Sequence, residues 1–361
     1  MEEVKRKREL GIDVIKVVAL LSVISVHFFS YIGFYDQPMY GKEMLILTTI
    51  RNFFMICVPL FLLATGYLMN RKKFDKKYYK GIVRVLYVYV IVSIICIIYS
   101  KIKGDQSSIW HMVLSIFSFS AAGYSWYVEM YIGLFLIIPF LNLIYNNLEN
   151  KKDKIILIFT MLFLTAIPDV INIYNFENLN FWKNPAGIGS NLLLPKYWTS
   201  LYPISYYFIG AFISEYKPKM NKKLNLLLII VTTIFIGIFN FWYSFGKSFV
   251  WGSYQNYSSL FVVILSCLCF NLLINIDYSG WNNKIKKIIE IASSATLGAY
   301  LISEVFDKII YSKLNESIVE LKYKVIFYVI IVPVIFILSV LISTLINKSY
   351  TLIKNKDSKR V

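Results

Sequence analysis

The chain has 361 residues, of which 57% are hydrophobic and only 16% are charged. Soluble domains carry about a quarter charged residues, and the apolar excess here falls in long runs, so the composition excludes an ordinary soluble domain and indicates a polytopic membrane protein. The net charge of +17 comes from short basic clusters between the apolar runs, which is typical of membrane topology and argues against a nucleic-acid-binding face.

Windows of about 20 apolar residues, the length needed to cross the hydrocarbon core, predict ten transmembrane helices. In chain order they cover residues 12–34, 44–69, 82–101, 124–147, 155–172, 198–215, 224–244, 257–275, 289–311 and 325–347. A further apolar segment at 108–120 is too short to span, so we expect it to lie at the interface or to re-enter the membrane. The predicted fold class is therefore all-α: a polytopic membrane protein with about ten transmembrane helices, forming a single domain over residues 1–361.

The distribution of Lys and Arg predicts the orientation of these helices. With a cytoplasmic N-terminus, 25 of the 38 Lys and Arg lie in inner segments and 9 lie in outer loops. This is the positive-inside pattern, and one helix more or fewer would spoil the alternation. We therefore expect both termini to be cytoplasmic, including the basic N-terminal segment 1–11 and the C-terminal tail 349–361. The expected location is the plasma membrane, specifically a bacterial cytoplasmic membrane.

The first predicted span carries three ionisable residues, Asp13, Lys16 and His27. Ionisable groups inside a membrane are costly to bury and mark functional sites by default. Asp13 and Lys16 are three residues apart and are therefore neighbours on the helix. Lys16 and His27 are eleven residues apart, close to three turns, so they share a face and lie about 16 Å apart along the axis. The structural alternatives are snorkelling of Lys16 and a helix-packing hydrogen bond for His27.

Charged residues in other predicted spans lie at matching depths. Arg51, Glu129 and Glu304 fall near the depth of His27, in the outer half of the membrane. Because an unpaired carboxylate there is costly, we expect Glu129 to pair with Arg51 or His27. Arg84 opens the third span at the inner side, on the level of the first-span lysine. The pattern predicts a two-ended site, with inner cations for an anionic cofactor and an outer histidine with carboxylates.

Asp307 reaches a similar depth late in the ninth span, three residues after Glu304. Its neighbour Lys308 offers a structural explanation, a helix-surface ion pair at the interface. We therefore do not include Asp307 among the candidate site residues.

Four segments of the chain follow one another in a specific order. The first is Asp13-x-x-Lys16 followed by ten residues and His27; the others are Val58–Leu68, with Thr65 before Gly-Tyr, then Ser125–Tyr127 and Tyr206–Gly210. In this order they resemble the acyltransferase-3 family of membrane acyltransferases, whose pattern is Asp-x-x-Arg/Lys and Arg/Lys-x10-His in the first span. The resemblance covers nearly the whole chain, and Arg51 and Arg84 match basic residues seen in the same regions of that family.

One segment departs from the family pattern. Ser303 follows Tyr300-Leu301-Ile302 at a position where the family often has a histidine. A role for that second histidine is therefore not carried over, and Glu304 is the nearest substitute.

The resemblance implies transfer of an acyl group, usually acetyl from acetyl-CoA, to a hydroxyl of an envelope or capsular polysaccharide or its lipid-linked precursor in the lipid bilayer. His27 would be the general base or the acyl carrier, and no metal is expected. The other implied roles are orientation of His27 by Glu129, substrate or oxyanion binding by Arg51, Trp126, Tyr127 and Glu304, and cofactor binding by Asp13, Lys16 and Arg84. The alternative is a non-enzymatic glycan transporter or flippase of the same fold, which needs a polar cavity but no base aligned with a cationic cofactor site. The sequence gives no oligomeric state.

Overall fold

The computed structural model describes residues 8–252 and 254–357, and these form helices without a β-strand. The first half contains α1 Leu10–Tyr31, α2 Gly41–Phe53, α3 Cys57–Met69, α4 Lys76–Tyr79, α5 Ile82–Ile102, α6 Ile109–Phe117, α7 Trp126–Asn146 and α8 Lys151–Thr165. The second half contains α9 Ile167–Ile171, α10 Pro185–Ile188, α11 Tyr202–Tyr216, α12 Lys222–Tyr243, α13 Leu260–Ile274, α14 Asn283–Ser317, α15 Leu321–Ile326 and α16 Tyr328–Asp357. Short 3-10 helices cover Phe34–Asp36, Phe54–Ile56, Leu179–Trp182 and Thr199–Leu201.

The prediction of an all-α polytopic membrane protein is confirmed. Seven helical segments of the described chain are long and apolar enough to cross a membrane: Leu10–Tyr31, Gly41–Met69, Lys76–Ile102, Trp126–Asn146, Lys222–Tyr243, Asn283–Ser317 and Tyr328–Asn355. The other three predicted spans coincide with α8, α11 and α13, which have 15 residues each and rise only about 22 Å. The apolar segment at 108–120 forms the nine-residue helix α6. The count of ten spans stays a prediction.

Two predictions concern the chain ends. The basic tail at 349–361 is helical as far as Asp357, because α16 continues through it. The remainder of that tail and residues 1–7 of the basic N-terminal segment lie outside the described residues.

Helices α1 and α14 are parallel neighbours held in register. Ser293 Oγ, about three turns into α14, donates to Asp13 Oδ1 in the first turn of α1 at 2.6 Å. Four turns later on each helix, His27 Nδ1 lies 3.4 Å from Asp307 Oδ2. Parallel neighbours require an odd number of crossings between them. Only four of the long apolar segments lie between α1 and α14, which is an even number of crossings. If α8, α11 and α13 also cross, as the sequence predicts, the number is seven, which agrees with the parallel arrangement.

Helix α1 forms the centre of the bundle, packed against α3, α13, α14 and α16. Apart from Asp13, Lys16 and His27 it carries apolar or small side chains on all sides, which is typical of a helix enclosed by others, and 72% of its apolar window is buried. The outer helices instead turn apolar side chains outward; on α12, for example, Leu227, Val231 and Ile238 are exposed. An apolar outer face of this kind is solvated by lipid, so the bilayer surrounds the bundle.

The second predicted span is broken in the middle. Helix α2 ends at Phe53, a 3-10 turn covers Phe54–Ile56, and α3 begins at Cys57. Pro59 lies in the first turn of α3, where its missing N–H needs no partner, but it prevents one continuous helix by removing the bond to the carbonyl of Met55. The break lets α2 pack on α12 while α3 packs on α11.

Gly66 and Gly210, both in family-like segments, allow the close crossing of α3 and α11. A Cβ on Gly66 would overlap the backbone carbonyl of Tyr207, and a Cβ on Gly210 would overlap that of Leu63. The absence of both side chains therefore sets the distance between these two helices, as in other membrane helix pairs with small residues at the contact.

We expect Gly66→Ala to destabilise the protein by about 1–3 kcal/mol, because the methyl group forces the two backbones apart. The midpoint of thermal unfolding of the detergent-solubilised protein, followed with a thiol-reactive dye at the buried cysteines, measures this. Gly133→Ala is the matched control, since a Cβ at Gly133 on α7 meets nothing within 4 Å. Equal midpoints for the two variants would contradict the crossing.

Candidate active site

A cavity of about 530 Å³ runs into the bundle from the end where α1 begins. We call it the main cavity. Its charged lining residues are Arg8, Glu9, Asp13, Lys16 and Arg84, and its deeper lining includes Val23, Tyr127, Tyr131 and Tyr300. A second cavity beside the opening shares Arg8 and Arg84 and adds Lys287 and Lys348. The main cavity therefore has a charged, mainly cationic end and an aromatic end.

Asp13 does not pair with Lys16; Arg8 and Ser293 hold its carboxylate instead. Arg8 Nε lies 2.7 Å from Asp13 Oδ2 and Arg8 Nη2 lies 3.0 Å from Asp13 Oδ1. The hydrogen bonds to this carboxylate raise the pKa of Arg8 above its usual value. Because the bidentate guanidinium of Arg8 neutralises Asp13, Asp13 does not neutralise Lys16, and the positive charge of Lys16 faces the cavity.

Arg84 is held from the opposite wall. Its Nη2 and Nε donate to Asn347 Oδ1 on α16 at 2.9 and 3.3 Å, and its side chain is exposed at the opening. The structure thus brings the three predicted cofactor-binding residues, Asp13, Lys16 and Arg84, to the same end of the main cavity.

His27 lies one helical turn beyond the deepest α1 residue of the main cavity. Its ring stacks on Tyr124, with centroids 3.9 Å apart, and lies 6.3 Å from the ring of Tyr300, which lines the cavity. The His27 side chain is 16% exposed, and its Nδ1 is fully buried. The exposure therefore falls on the rest of the ring, which carries Nε2.

Asp307 is the carboxylate beside His27. It is completely buried, its Oδ2 is 3.4 Å from His27 Nδ1, and Tyr124 Oη donates to the same oxygen at 2.7 Å. Its Oδ1 and His27 Nδ1 are buried without a hydrogen-bond partner among the described residues. Buried polar groups are rarely left in this state, which makes the pair a candidate for the functional site.

From the sequence, a surface pair with Lys308 was the structural alternative for Asp307, and the structure does not show that pair. Lys308 Nζ binds Glu304 Oε1 at 2.6 Å, one turn earlier on α14. Asp307 instead lies beside His27 on α1, and Tyr124 Oη donates to its Oδ2. The sequence did contain one indication of this contact, the predicted depth of Asp307 in the membrane, which is similar to that of His27.

Glu129 does not lie beside His27, contrary to the pairing we expected. It is exposed on α7, one turn after Ser125, and no ion pair joins it to His27 or Arg51 among the described residues. The physical reason is helix rotation, because the side of α7 that faces the cavity carries Tyr127 and Tyr131. A catalytic role for Glu129 stays a prediction that the geometry does not favour.

Glu304 contacts the wall of the site. Besides Lys308 it accepts a hydrogen bond from the backbone N–H of Tyr124 at 3.3 Å, so it fixes the segment that stacks on His27. Ser303, at the position where the family often has histidine, is fully buried and donates to the carbonyl of Tyr300. Neither residue contacts the main cavity.

Trp126 and Tyr127 lie on different sides of the start of α7. Tyr127 is buried and lines the main cavity, against the edge of Tyr300. Trp126 is 40% exposed and stacks on Tyr257. Of the predicted substrate residues, Tyr127 is therefore the one that the structure places in the main cavity.

Arg51 lies outside the main cavity, at the end of α2. It is 1% exposed, bonds to Tyr35 and Asn52, and lines a separate cavity of about 380 Å³ with Val26 and Trp251. This cavity reaches α1 at Val26, directly before His27 in the chain, but its lining does not include His27.

The comparisons with known proteins agree with this geometry. The family model described as an acyltransferase domain, that of the acyltransferase-3 family, matches residues 9–348. No curated protein and no solved structure matches the chain. The match includes α1 through most of α16 and, of the residues described at the site, all except Arg8. Of the two alternatives from the sequence, the family supports the enzyme over the transporter: the chain belongs to the acyltransferase-3 family and is a multi-pass membrane acyltransferase.

Proposed function

We propose that this protein transfers an acetyl group from cytoplasmic acetyl-CoA to a hydroxyl of a cell-envelope glycan or its lipid-linked precursor, in the plasma membrane. One observation carries the proposal: the main cavity is cationic where it opens and aromatic at its far end, where the Tyr300 ring lies 6.3 Å from the ring of His27. An anionic donor with a long arm fits such a cavity, because its phosphates stay at the opening while its reactive end reaches the histidine.

The donor would lie along α1. Lys16 and Arg84 supply positive charge for the phosphates of CoA, and the second basic cavity beside the opening gives room for the nucleotide. From Lys16 to His27 the distance along the helix is about 16 Å, comparable to an extended pantetheine arm. The thioester would then lie among Tyr127 and Tyr300, next to the imidazole.

His27 acts as the general base in this proposal. Its Nε2 takes the proton of the acceptor hydroxyl as the oxygen attacks the thioester carbonyl. The tetrahedral intermediate then expels the CoA thiolate, which takes that proton from the imidazolium to leave as the thiol. Asp307 faces Nδ1 and would keep its proton there, so that Nε2 is the free base and the cation that forms has a counter-ion.

In a two-step route Nε2 would instead attack the thioester and carry the acetyl group as acyl-imidazole. The two routes differ without an acceptor: the covalent route releases one equivalent of CoA thiol per protein in a burst, whereas the base-catalysed route releases none.

Mass spectrometry of envelope glycans tests the function directly. Cells that express the protein should carry glycan species about 42 Da heavier per acetylated sugar than cells that lack it, and membranes supplied with radiolabelled acetyl-CoA should label the same glycan. An unchanged glycan mass together with glycan retained inside the cell would contradict acetyl transfer and favour a transporter.

We expect Lys16→Ala to raise the KM for acetyl-CoA about tenfold with little change in kcat, because removing one phosphate contact weakens donor binding uniformly. Initial rates of CoA thiol release in membrane vesicles measure both constants. Lys16→Arg keeps the charge and serves as the control. An unchanged KM in Lys16→Ala would mean that the donor does not enter along α1.

A further inference from the structure

Arg51 is a nearly fully buried cation whose contacts are all with neutral groups. Nε donates to Tyr35 Oη at 2.8 Å and Nη1 donates to Asn52 Oδ1 at 2.9 Å. No carboxylate of the described residues forms a salt bridge with it. A buried charge without a counter-ion is unfavourable, so the counter-ion is expected to come from outside the chain.

Aromatic rings hold the guanidinium in one orientation. Its Cζ lies 5.5, 4.9 and 5.1 Å from the ring centroids of Tyr35, Phe249 and Trp251. Cation–π contacts of this kind contribute about 0.5–2 kcal/mol each, so they offset only part of the unfavourable burial. Among the described residues no side chain or carbonyl accepts from Nη2. A guanidinium that is held in one orientation and has N–H groups left to donate can bind a carboxylate or a phosphate.

The cavity beside Arg51, which we call the Arg51 pocket, has the chemistry of a sugar site. Its volume of about 380 Å³ is within the usual range for small ligands, about 300–1,000 Å³. Its walls combine aromatic rings with side-chain amides, from Tyr202, Trp251, Tyr257, Gln255 and Asn256. Flat apolar faces and amide groups together match a sugar ring and its hydroxyls.

The Arg51 pocket and the main cavity approach His27 at different levels of α1. The main cavity contacts α1 as far as Val23, and the Arg51 pocket contacts it at Val26, directly before His27. His27 directly follows Val26 and lies one turn after Val23, so both cavities reach α1 within about one turn of the imidazole, although neither lining includes it. This arrangement suits two substrates that enter from opposite sides of the membrane.

We propose that the Arg51 pocket binds a sugar that carries an anionic group, a carboxylate or a phosphate, with Arg51 as its counter-ion. That this sugar is the acceptor of the acetyl group rests on the function proposed above; the binding of an anionic sugar does not. Arg51 would then select charged glycan units over neutral ones.

Calorimetric titration of the purified full-length protein in detergent tests the site without any acyl transfer. The probes are glucose, glucuronate and glucose 1-phosphate, which share the hexose ring. Glucose carries no charge, glucuronate carries a carboxylate and glucose 1-phosphate carries a phosphate. We expect at least one of the two anions to bind about tenfold or more tightly than glucose, as a charge-assisted hydrogen bond predicts. Which anion binds more tightly identifies the carboxylate or the phosphate as the natural group.

Two variants separate the role of the charge from folding. Arg51→Gln should bind all three probes equally weakly, while Arg51→Lys should keep part of the preference. Val26→Trp fills the pocket without changing the Arg51 hydrogen bonds, and it should abolish binding even if Arg51→Gln fails to fold. Equal affinity of the wild type for the three probes, or an anion preference that survives either Arg51→Gln or Val26→Trp, would overturn the proposal. Anion binding that persists in a protein without acetyl-transfer activity would contradict the proposed function alone.

Discussion

Replacing His27 by alanine should lower acyl transfer by about 10²–10⁴-fold, the usual contribution of a positioned general base, while the protein still inserts and folds. The side chain contacts Tyr124 through stacking and makes no hydrogen bond among the described residues, so its removal opens a small space without leaving a partner behind except Asp307. The acetate content of the envelope glycan and the rate of CoA release in vesicles both report the loss.

The second histidine provides the matched control. His111 lies on the short helix α6 and is exposed, so His111→Ala should retain the activity of the wild type. A His27→Ala protein that is present at normal levels and acetylates normally would eliminate His27 as both base and carrier. His27→Gln adds a second test, because glutamine preserves much of the side-chain volume but cannot accept and return a proton.

The contacts along one helix could be predicted from the sequence. Lys16 and His27 share a face because eleven residues equal three turns, and this periodicity holds before any tertiary structure forms. The structure places both on the same side of α1, one in the main cavity and the other just beyond it. The all-α membrane fold followed in the same way from the length of the apolar runs.

The contacts between helices could not be predicted in this way, because they depend on how each helix is rotated. Glu129 and Asp307 both lie at the depth of His27, and depth alone does not choose between them. The rotation of α7 turns Glu129 outward, whereas the register of α1 with α14, fixed by Asp13 and Ser293, brings Asp307 to the imidazole. A single sequence contains no direct signal of either rotation.

The surroundings of Arg51 depend on longer-range structure still. Its aromatic neighbours come from the turn after α1 and from the loop after α12, about 200 residues away along the chain. A bridge between Met39 and Phe245 holds the two loops together. The sequence placed Arg51 in the outer half of the second span, with outward snorkelling as the structural alternative. Its burial among these rings depends on the contact between the two loops.

Substituting Asp307 by asparagine should reduce kcat by about 10²-fold or more with the KM for acetyl-CoA nearly unchanged. The amide is isosteric with the carboxylate, so stacking and burial are kept. Its NH₂ group can donate to Nδ1, which would place the ring proton on Nε2 and block the base; the corresponding change in a serine-protease triad costs about 10⁴-fold. The split between kcat and KM distinguishes this positioning role from a loss of structure, which would affect both constants.

Glu129→Gln is the matched experiment, since it makes the same chemical change in the carboxylate that sequence alone favoured. With Glu129 exposed on α7 and Asp307 buried against His27, we expect near-normal kcat for Glu129→Gln and a large loss for Asp307→Asn. The reverse result would mean that α7 rotates toward His27 when substrates bind, and that the carboxylate beside the imidazole in this structure is not the one used in the reaction. The two variants differ only in which carboxylate becomes an amide. The ratio of their kcat values therefore shows which carboxylate is the partner of His27 in the reaction.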